Sequence, residues 1–290
     1  IMATGVSGIP NLPNIPSLDN FSGTILHSSK YKSGHNWVGK RAIVIGTGNS
    51  GHDIAQDLIF HSAKVTLIQR SPTMIVSVEP SAQLPYALYD EGPNLNDCDL
   101  ISASMPLPLT KITHQMITAK SREIDKTLLD KLDKVGFKLD FGTDDTGWQF
   151  KYLERGGGYY FNVGCSDLIA SRKIKLLQLK SVDRFITEGV MKNNGEIVKA
   201  DLVVLATGFK GQDYIIQKIF GDSVNDLIGP IWGFDSGEYE LRNMWTRTAQ
   251  PGLWFIAGSF AQCRIYSKYL GLQIKACEEG IIPLVRKTEN

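Results

Sequence analysis

The sequence predicts an α/β fold built on a parallel sheet, with a second lobe reached through two crossings of the chain. Three observations carry this reading. First, the apolar run Ala42-Ile43-Val44-Ile45 passes through Gly46-Thr47-Gly48-Asn49-Ser50-Gly51 into a helix-like segment, His52 to Ile59, and then into Lys64-Val65-Thr66-Leu67-Ile68. Second, Ala-Thr-Gly closes an apolar stretch twice, at residues 3–5 and 206–208. Third, Leu253-Trp254-Phe255-Ile256 ends on Ala257-Gly258 just before a helical segment.

The first observation is the most specific. Strand, glycine turn and helix follow one another in the order that a dinucleotide pyrophosphate requires. Gly46 permits the tight turn, Gly48 lets backbone approach the phosphates, and Gly51 lets the helix pack closely on the strand. The free N–H groups and positive dipole of the helix start face the anion. A bare G-x-G-x-x-G is a weak signal, but here the flanking strand and helix that give it meaning are both present.

The second strand ends at Gln69-Arg70-Ser71. A site selective for NAD places an acid there for the ribose 2′-hydroxyl, whereas a guanidinium pairs with a 2′-phosphate. The expected cofactor is therefore NADP(H), with Arg70 and Ser71 on the phosphate. The competing reading of Arg70 is a solvated strand-end charge.

Bulk properties set bounds. At 290 residues, with 42% hydrophobic and 21% charged residues, the chain can hold two domains of roughly 150 residues each. A formal net charge of +1 points to no nucleic-acid partner. The cysteines, Cys98, Cys165, Cys263 and Cys277, form no C-x-x-C, which argues against a zinc site or disulfide framework and fits a reducing compartment. No apolar run approaches the ~18 residues of a membrane span, and no signal-peptide pattern is present. A cytoplasmic protein is expected, and a homo-oligomer stays open. The opening, Ile1-Met2-Ala3-Thr4-Gly5, reads as the end of a buried strand with nothing before it to pair with. An internal piece of a longer polypeptide is the expectation.

The remaining elements follow in order. Ile9 to Pro16 is a proline-rich connector between lobes. Residues 72–150 break the β-α alternation and read as an insertion, with an amphipathic helix from about Thr113 to Leu132 that places Ile117, Ile124, Leu128 and Leu132 on one face. Gly156-Gly157-Gly158 feeds an aromatic strand, Tyr159-Tyr160-Phe161. A short helix at Ser166 to Ala170 and a strand at Ile174 to Leu179 come next. Val182 to Thr187 and Glu196 to Lys199 read as a hairpin around Lys192-Asn193-Asn194-Gly195. Asp201 to Leu205 is a buried strand, and a helix runs from Ile265 to Leu284.

Just ahead of the glycine turn, Phe21-Ser22-Gly23-Thr24-Ile25-Leu26-His27-Ser28-Ser29-Lys30-Tyr31 fits F-x-G-x-x-x-H-x-x-x-Y. With Gly46–Gly51, Gln69-Arg70-Ser71, both Ala-Thr-Gly turns and the Trp254–Gln273 stretch, the chain resembles the class B flavin-dependent monooxygenases. That group includes flavin-containing monooxygenases and their YUCCA relatives. Tyr31 stands where the Baeyer–Villiger branch typically has tryptophan, which favours the N- and S-oxygenating or YUCCA-like branches.

The resemblance implies a Rossmann-like NADP-binding lobe inserted into an FAD-binding Rossmann-like lobe that is incomplete here. Residues 1–8 would end the first half of the FAD lobe. Residues 9–207 would form the NADPH lobe, carrying the insertion at about 72–150, and residues 208–290 would return to the FAD lobe. The family's first glycine fingerprint, which holds the FAD pyrophosphate, would precede Ile1.

By the same resemblance, NADPH reduces FAD, dioxygen adds to give a C4a-hydroperoxyflavin, and one oxygen atom passes to a small organic substrate. Gly46, Gly48, Asn49, Ser50 and Gly51 would cradle the NADP pyrophosphate. Thr4, Gly5, Thr207 and Gly208 would line the cleft between lobes, with Gly258 and Gln262 near the flavin. No residue is assigned a catalytic role and none a metal. For His27 an orienting hydrogen bond is favoured over catalysis. Thr73 is read as either a turn cap or a ligand contact, Gln262 as either a cap or a flavin neighbour, and Arg264 as either solvated or near the flavin. Two alternatives stay open. One is a truncated NADP(H)-binding subunit or sensor without flavin chemistry. The other is a two-lobed disulfide or ferredoxin-type reductase, which in its disulfide form needs the missing C-x-x-C.

Overall fold

The computed structural model describes residues 1–5, 7–235, 237 and 239–285. The strands are β1 (Thr24–His27), β2 (Arg41–Ile45), β3 (Lys64–Gln69), β4 (Met74–Ser77), β5 (Tyr159–Asn162), β6 (Lys175–Gln178), β7 (Val182–Ile186), β8 (Gly189–Lys192), β9 (Ile197–Lys199) and β10 (Leu202–Leu205). The helices are α1 (Asn49–Phe60), α2 (Ala87–Glu91), α3 (Leu95–Ser104), α4 (Leu107–Ile124), α5 (Lys126–Lys134), α6 (Gly147–Arg155), α7 (Cys165–Ala170), α8 (Gln212–Phe220), α9 (Asp222–Ile228) and α10 (Phe260–Glu278). No helix among the described residues is long and apolar enough to cross a membrane.

Five strands form one parallel sheet in the order β1-β10-β2-β3-β6. Their sequences are continuous apolar runs because both faces of the sheet are covered. Alternation decides which residue faces which side. Ala42, Val44, Leu202 and Val204 pack with α1, α5 and α7 through Ala55, Leu58, Leu132 and Ile169. Ile43, Ile45, Val203 and Leu205 pack with Phe21, Phe185 and Val190 on the opposite face. The chain leaves β2 through α1 to β3 on one side, while β10 and β1 lie on the other. This reversal is the switch point at whose carboxyl edge ligands bind in open α/β sheets.

The connector and the outgoing segment run antiparallel beside this edge. Pro10 bridges Phe209, Asn11 N–H donates to Gly208 O at 2.9 Å, and Lys210 N–H donates to Ile9 O at 2.7 Å. A third apolar cluster, with Ile216, Trp245, Trp254, Phe255 and Leu270, lies in the region after residue 208. Met2 joins it through a parallel bridge to Phe255.

Several expectations are corrected. The helix read as Thr113 to Leu132 is two helices, α4 and α5, meeting at Asp125. The Asp125 carboxylate accepts the Ser77 N–H at 3.0 Å, fixing the break against β4. The face that α4 buries is polar (His114, Thr118 and Ser121), so apolar periodicity was a poor guide to its limits. The hairpin is a three-stranded antiparallel sheet, β7-β8-β9, because a tight turn at Thr187-Glu188 separates β7 from β8. Among the described residues, Leu253 to Ile256 forms no ladder and its one bridge is at Phe255. The last helix starts at Phe260 because Ser259 and Gln262 make a capping box there, and it ends at Glu278. The part of the 208–290 segment beyond Val285 lies outside the described residues.

Candidate functional site

The glycine turn at the switch point is fixed by contacts that allow no side chain at two of its positions. Gly46 has φ +116°, and a Cβ built on it would lie 2.3 Å from Ala206 O at the end of β10. A Cβ on Gly51 would lie 2.0 Å from Gly46 O, the close approach of helix to strand. Gly48 differs. It caps α1 in extended conformation, and a Cβ there would meet only Tyr159 O at 3.9 Å. The space over Gly48 is open, and the first N–H groups of α1 have no intrahelical acceptor. The arrangement can receive an anion against bare backbone.

Side chains brace the turn from behind. Thr47 and Thr73 are buried with their hydroxyls 2.6 Å apart. Thr73 donates to Ser71 O at 3.3 Å, so Thr47 is the donor between the two. Thr73 is thus a brace of the turn. The Asn49 side-chain oxygen accepts the Phe161 N–H at 3.1 Å, which binds β5 to α1 and leaves the Asn49 backbone N–H to the turn. His52 is buried, stacks on Tyr160 at 3.9 Å, and lies 3.2 Å from Gly48 O through Nδ1. Burial pushes its pKa down to about 4, so the ring is neutral and Nδ1 is the donor.

At the end of β3, Gln69 and Arg70 part company. Gln69 is buried and bonded to both N–H and C=O of Lys138, at 2.8 and 2.9 Å, and to Gln178 at 2.7 Å. Arg70 and Ser71 are exposed side by side, with Arg70 Nε donating to Ser71 Oγ at 3.3 Å. Arg70 makes no ion pair among the described residues.

The residues of F-x-G-x-x-x-H-x-x-x-Y each have a structural use. Phe21 is buried under the sheet, and a Cβ on Gly23 would lie 2.8 Å from Asp201 O. His27 ends β1. Its Nε2 is 2.9 Å from Gly208 O, while Nδ1 accepts the Ser29 N–H at 3.1 Å, so the Nε2–H tautomer satisfies both. That is an orienting role. Tyr31 OH donates to Asp57 Oδ2 at 2.6 Å, and Gly34 N–H reaches the same oxygen at 2.6 Å. Burial first, and then Asp57, holds the Tyr31 hydroxyl well above the usual phenol range. Sequence reasoning missed Asp57. The acid among the polar positions of α1 was visible, but not its partner 26 residues away.

Thr207 Oγ1 donates to Asn11 O at 2.6 Å, tying the second Ala-Thr-Gly to the proline-rich segment. Thr4 is exposed, Gly5 has φ +66°, and Gly5 O accepts from Gln212 at 3.2 Å. The Met2–Phe255 bridge brings this first turn beside Ala257-Gly258. Gly258 and Gln262 serve each other. Gln262 Oε1 accepts the Ser259 N–H at 2.9 Å, and a Cβ on Gly258 would lie 2.4 Å from that oxygen. The bridge thus places Thr4 and Gly5 next to the segment that leads into Gly258 and Gln262. Arg264, weighed as solvated or flavin-facing, instead pairs with Asp99 of α3. Asp99 carried no signal in the sequence, because its partner lies on a distant helix.

Residues 1–116 match the family model described as "Flavin-binding monooxygenase-like". Among curated relatives, the chain is 28% identical over 210 residues to the probable indole-3-pyruvate monooxygenase YUCCA7 of Arabidopsis thaliana, covering 72% of this chain and 44% of the relative. It is 26% identical over 256 residues to the indole-3-pyruvate monooxygenase YUCCA1 of Oryza sativa subsp. japonica, covering 88% and 53%. The chain thus spans about half the length of the curated relatives it matches. Among solved structures it shares its fold with the cyclohexanone monooxygenase of Rhodococcus sp. Phi1 bound to NADP+, at TM-score 0.56 and 19% identity over 96% of this chain and 60% of that one. A steroid monooxygenase bound to NADP matches at TM-score 0.58 and 18% identity, over 96% and 59%. Over residues 1–116 the chain is thus similar to flavin-binding monooxygenase-like proteins, and its fold is that of the cyclohexanone and steroid monooxygenases.

Proposed function

We propose that this chain supplies the NADP(H)-binding part of an NADPH- and FAD-dependent monooxygenase, which inserts one oxygen atom of dioxygen into a small organic substrate. The observation that carries the reading is the turn at Gly46–Gly51, closed at two positions and open over Gly48, with Arg70 and Ser71 exposed on one side of it and Arg70 in no ion pair among the described residues. Residues 9–207 are read as the NADPH lobe and the flanking segments 1–8 and 208–290 as FAD-lobe segments, with the antiparallel 9–11 and 207–210 segments as the crossings between them.

In this reading the backbone of Gly48, Asn49, Ser50 and Gly51 binds the pyrophosphate, and Arg70 with Ser71 binds the 2′-phosphate. Thr47, Thr73 and His27 act by holding the turn and the neighbouring strand ends in place. Thr207 and Gly208 set the path between lobes. Flavin, when bound, supplies the reaction with dioxygen. The chain's own contribution is to hold the reductant at a fixed place beside the crossings.

Purification with bound flavin, and oxygen-dependent NADPH consumption stimulated by an amine, sulfide or carbonyl substrate, is the supporting result. A protein that binds no flavin in the presence or absence of NADPH contradicts it. One observation favours a second reading, an NADP(H)-binding subunit without flavin chemistry. The glycine turn keeps its backbone open over Gly48, whereas the Gln262 side chain, which the resemblance puts near the flavin, is engaged with Ser259 in a helix cap and packs against Gly258. Separate titrations with NADPH and with FAD distinguish the two readings.

A further inference from the structure

Between the glycine turn and the end of β1 lies a cleft of about 270 Å³. Ser28 and Ser29 line it behind β1, Ser50, Asp53 and Ile54 on α1, and Phe209 behind β10. The Ser29 hydroxyl is engaged with His27 Nδ1 at 3.0 Å. The hydroxyls of Ser28 and Ser50 and the carboxylate of Asp53 make no hydrogen bond or ion pair among the described residues. Partial burial raises the Asp53 pKa, in keeping with a carboxylate that no donor satisfies. This is polar capacity without a use inside the chain.

The placement assigns the ligand. The cleft lies on the β1–β10 side of the switch point, whereas Arg70 lies at the end of β3 on the other side. A dinucleotide whose pyrophosphate sits on the turn must send its two halves to opposite sides. The half that carries a 2′-phosphate is drawn to the guanidinium of Arg70. The same phosphate beside the carboxylate of Asp53 is repelled. The half that enters the cleft is therefore the one with an unmodified ribose, whose hydroxyls can donate to a carboxylate. Ile54 and Phe209 give that half an apolar wall.

We propose that Asp53 binds the ribose hydroxyls of the nicotinamide half of NADP(H), with Ser28 and Ser50 completing the hydrogen bonds, an assignment that rests on the dinucleotide reading above. Asp53 thereby fixes the polarity of the dinucleotide across the turn. It is a binding residue on α1, outside G-x-G-x-x-G itself.

Calorimetric titration of the chain with NADP+ and with adenosine 2′,5′-bisphosphate tests this, because the second ligand lacks the nicotinamide half. Asp53→Ala is expected to weaken NADP+ about tenfold, the usual scale for losing a hydrogen bond to a charged group. The bisphosphate is expected to bind within about twofold of wild type, since it makes none of the lost contacts. Asp53→Asn, nearly the same shape, is expected to fall between the two, and Asp53 is exposed enough that the melting curves of both variants coincide with wild type. Unchanged NADP+ binding in Asp53→Ala, or equal loss of both ligands, overturns the assignment while leaving the dinucleotide site standing. A wild-type chain that binds neither ligand overturns the dinucleotide reading and this inference with it.

Discussion

Arg264 grips Asp99 with two parallel hydrogen bonds, Nη2 to Oδ1 at 2.6 Å and Nε to Oδ2 at 2.9 Å. The pair joins α10 to α3, helices more than 150 residues apart in the sequence. Asp99 is buried and also accepts from Tyr89 at 3.1 Å. Arg264, followed by Tyr89, holds the Asp99 carboxyl below its usual range. The α3 helix is thus fastened to α10 by a bidentate pair, the ion-pair geometry with the greatest directional specificity.

Arg264→Met is expected to loosen that fastening without unfolding the sheet. Limited proteolysis should cut within residues 87–105 about tenfold faster than in wild type, as expected for a segment opened locally rather than globally. Cleavage at the wild-type rate would show that the pair holds nothing in place.

Gly48 and Gly51 should separate binding from folding. Gly48→Ala places its Cβ where only Tyr159 O lies within 4 Å, so the melting temperature should move by less than about 2 °C, as for unstrained surface changes. NADPH affinity should nevertheless fall at least about tenfold, because the methyl group occupies the approach to the turn. Gly51→Ala collides with Gly46 O and should cost both affinity and about 3 kcal/mol of stability. Paired denaturant melts and NADPH titrations read the contrast. A Gly48→Ala protein that is as destabilised as Gly51→Ala, or binds NADPH normally, contradicts the open-space argument.

Stability should fall as the solution is acidified through the histidine range. Burial is the leading cause that holds both His52 and His114 down to about 4, against 6.5 when unfolded. Above pH 6.5 both rings are neutral in either state and their contribution is fully present. Between 6.5 and 4 the unfolded chain takes up protons that the folded one refuses, so stability drops, by up to about 3 kcal/mol per ring. Urea melts across this window should show a steep slope for wild type and a shallower one for His52→Gln combined with His114→Gln. An unchanged slope would assign acid sensitivity to other groups.

The β2-turn-α1-β3 unit was legible because its signals are local. The continuous apolar run, the glycine spacing and the helix that follows lie within thirty consecutive positions, and the structure places them at the switch point. Arg70 and Ser71 were legible for the same reason, as the exposed end of a buried strand. What failed was non-local. The α4 helix buries His114, Thr118 and Ser121, so the core-facing stripe carried no apolar pattern. Leu253 to Ile256 has the composition of a strand, but among the described residues its one bridge is at Phe255, to Met2. The partners of Thr47, Gln69, Asp57 and Asp99 are fixed by how distant segments meet, and no spacing rule encodes them.

The most direct measurement is a paired titration of the wild-type chain with NADPH and with NADH, repeated on Arg70→Ala. Arg70 is exposed and makes no ion pair among the described residues, so its loss should leave the fold intact. Wild type should prefer NADPH by at least about tenfold, and Arg70→Ala should erase most of that preference by weakening NADPH alone, as a lost guanidinium–phosphate contact requires. Equal binding of the two cofactors by wild type, or a preference that survives the loss of Arg70, would contradict the account of this turn as an NADP(H) site.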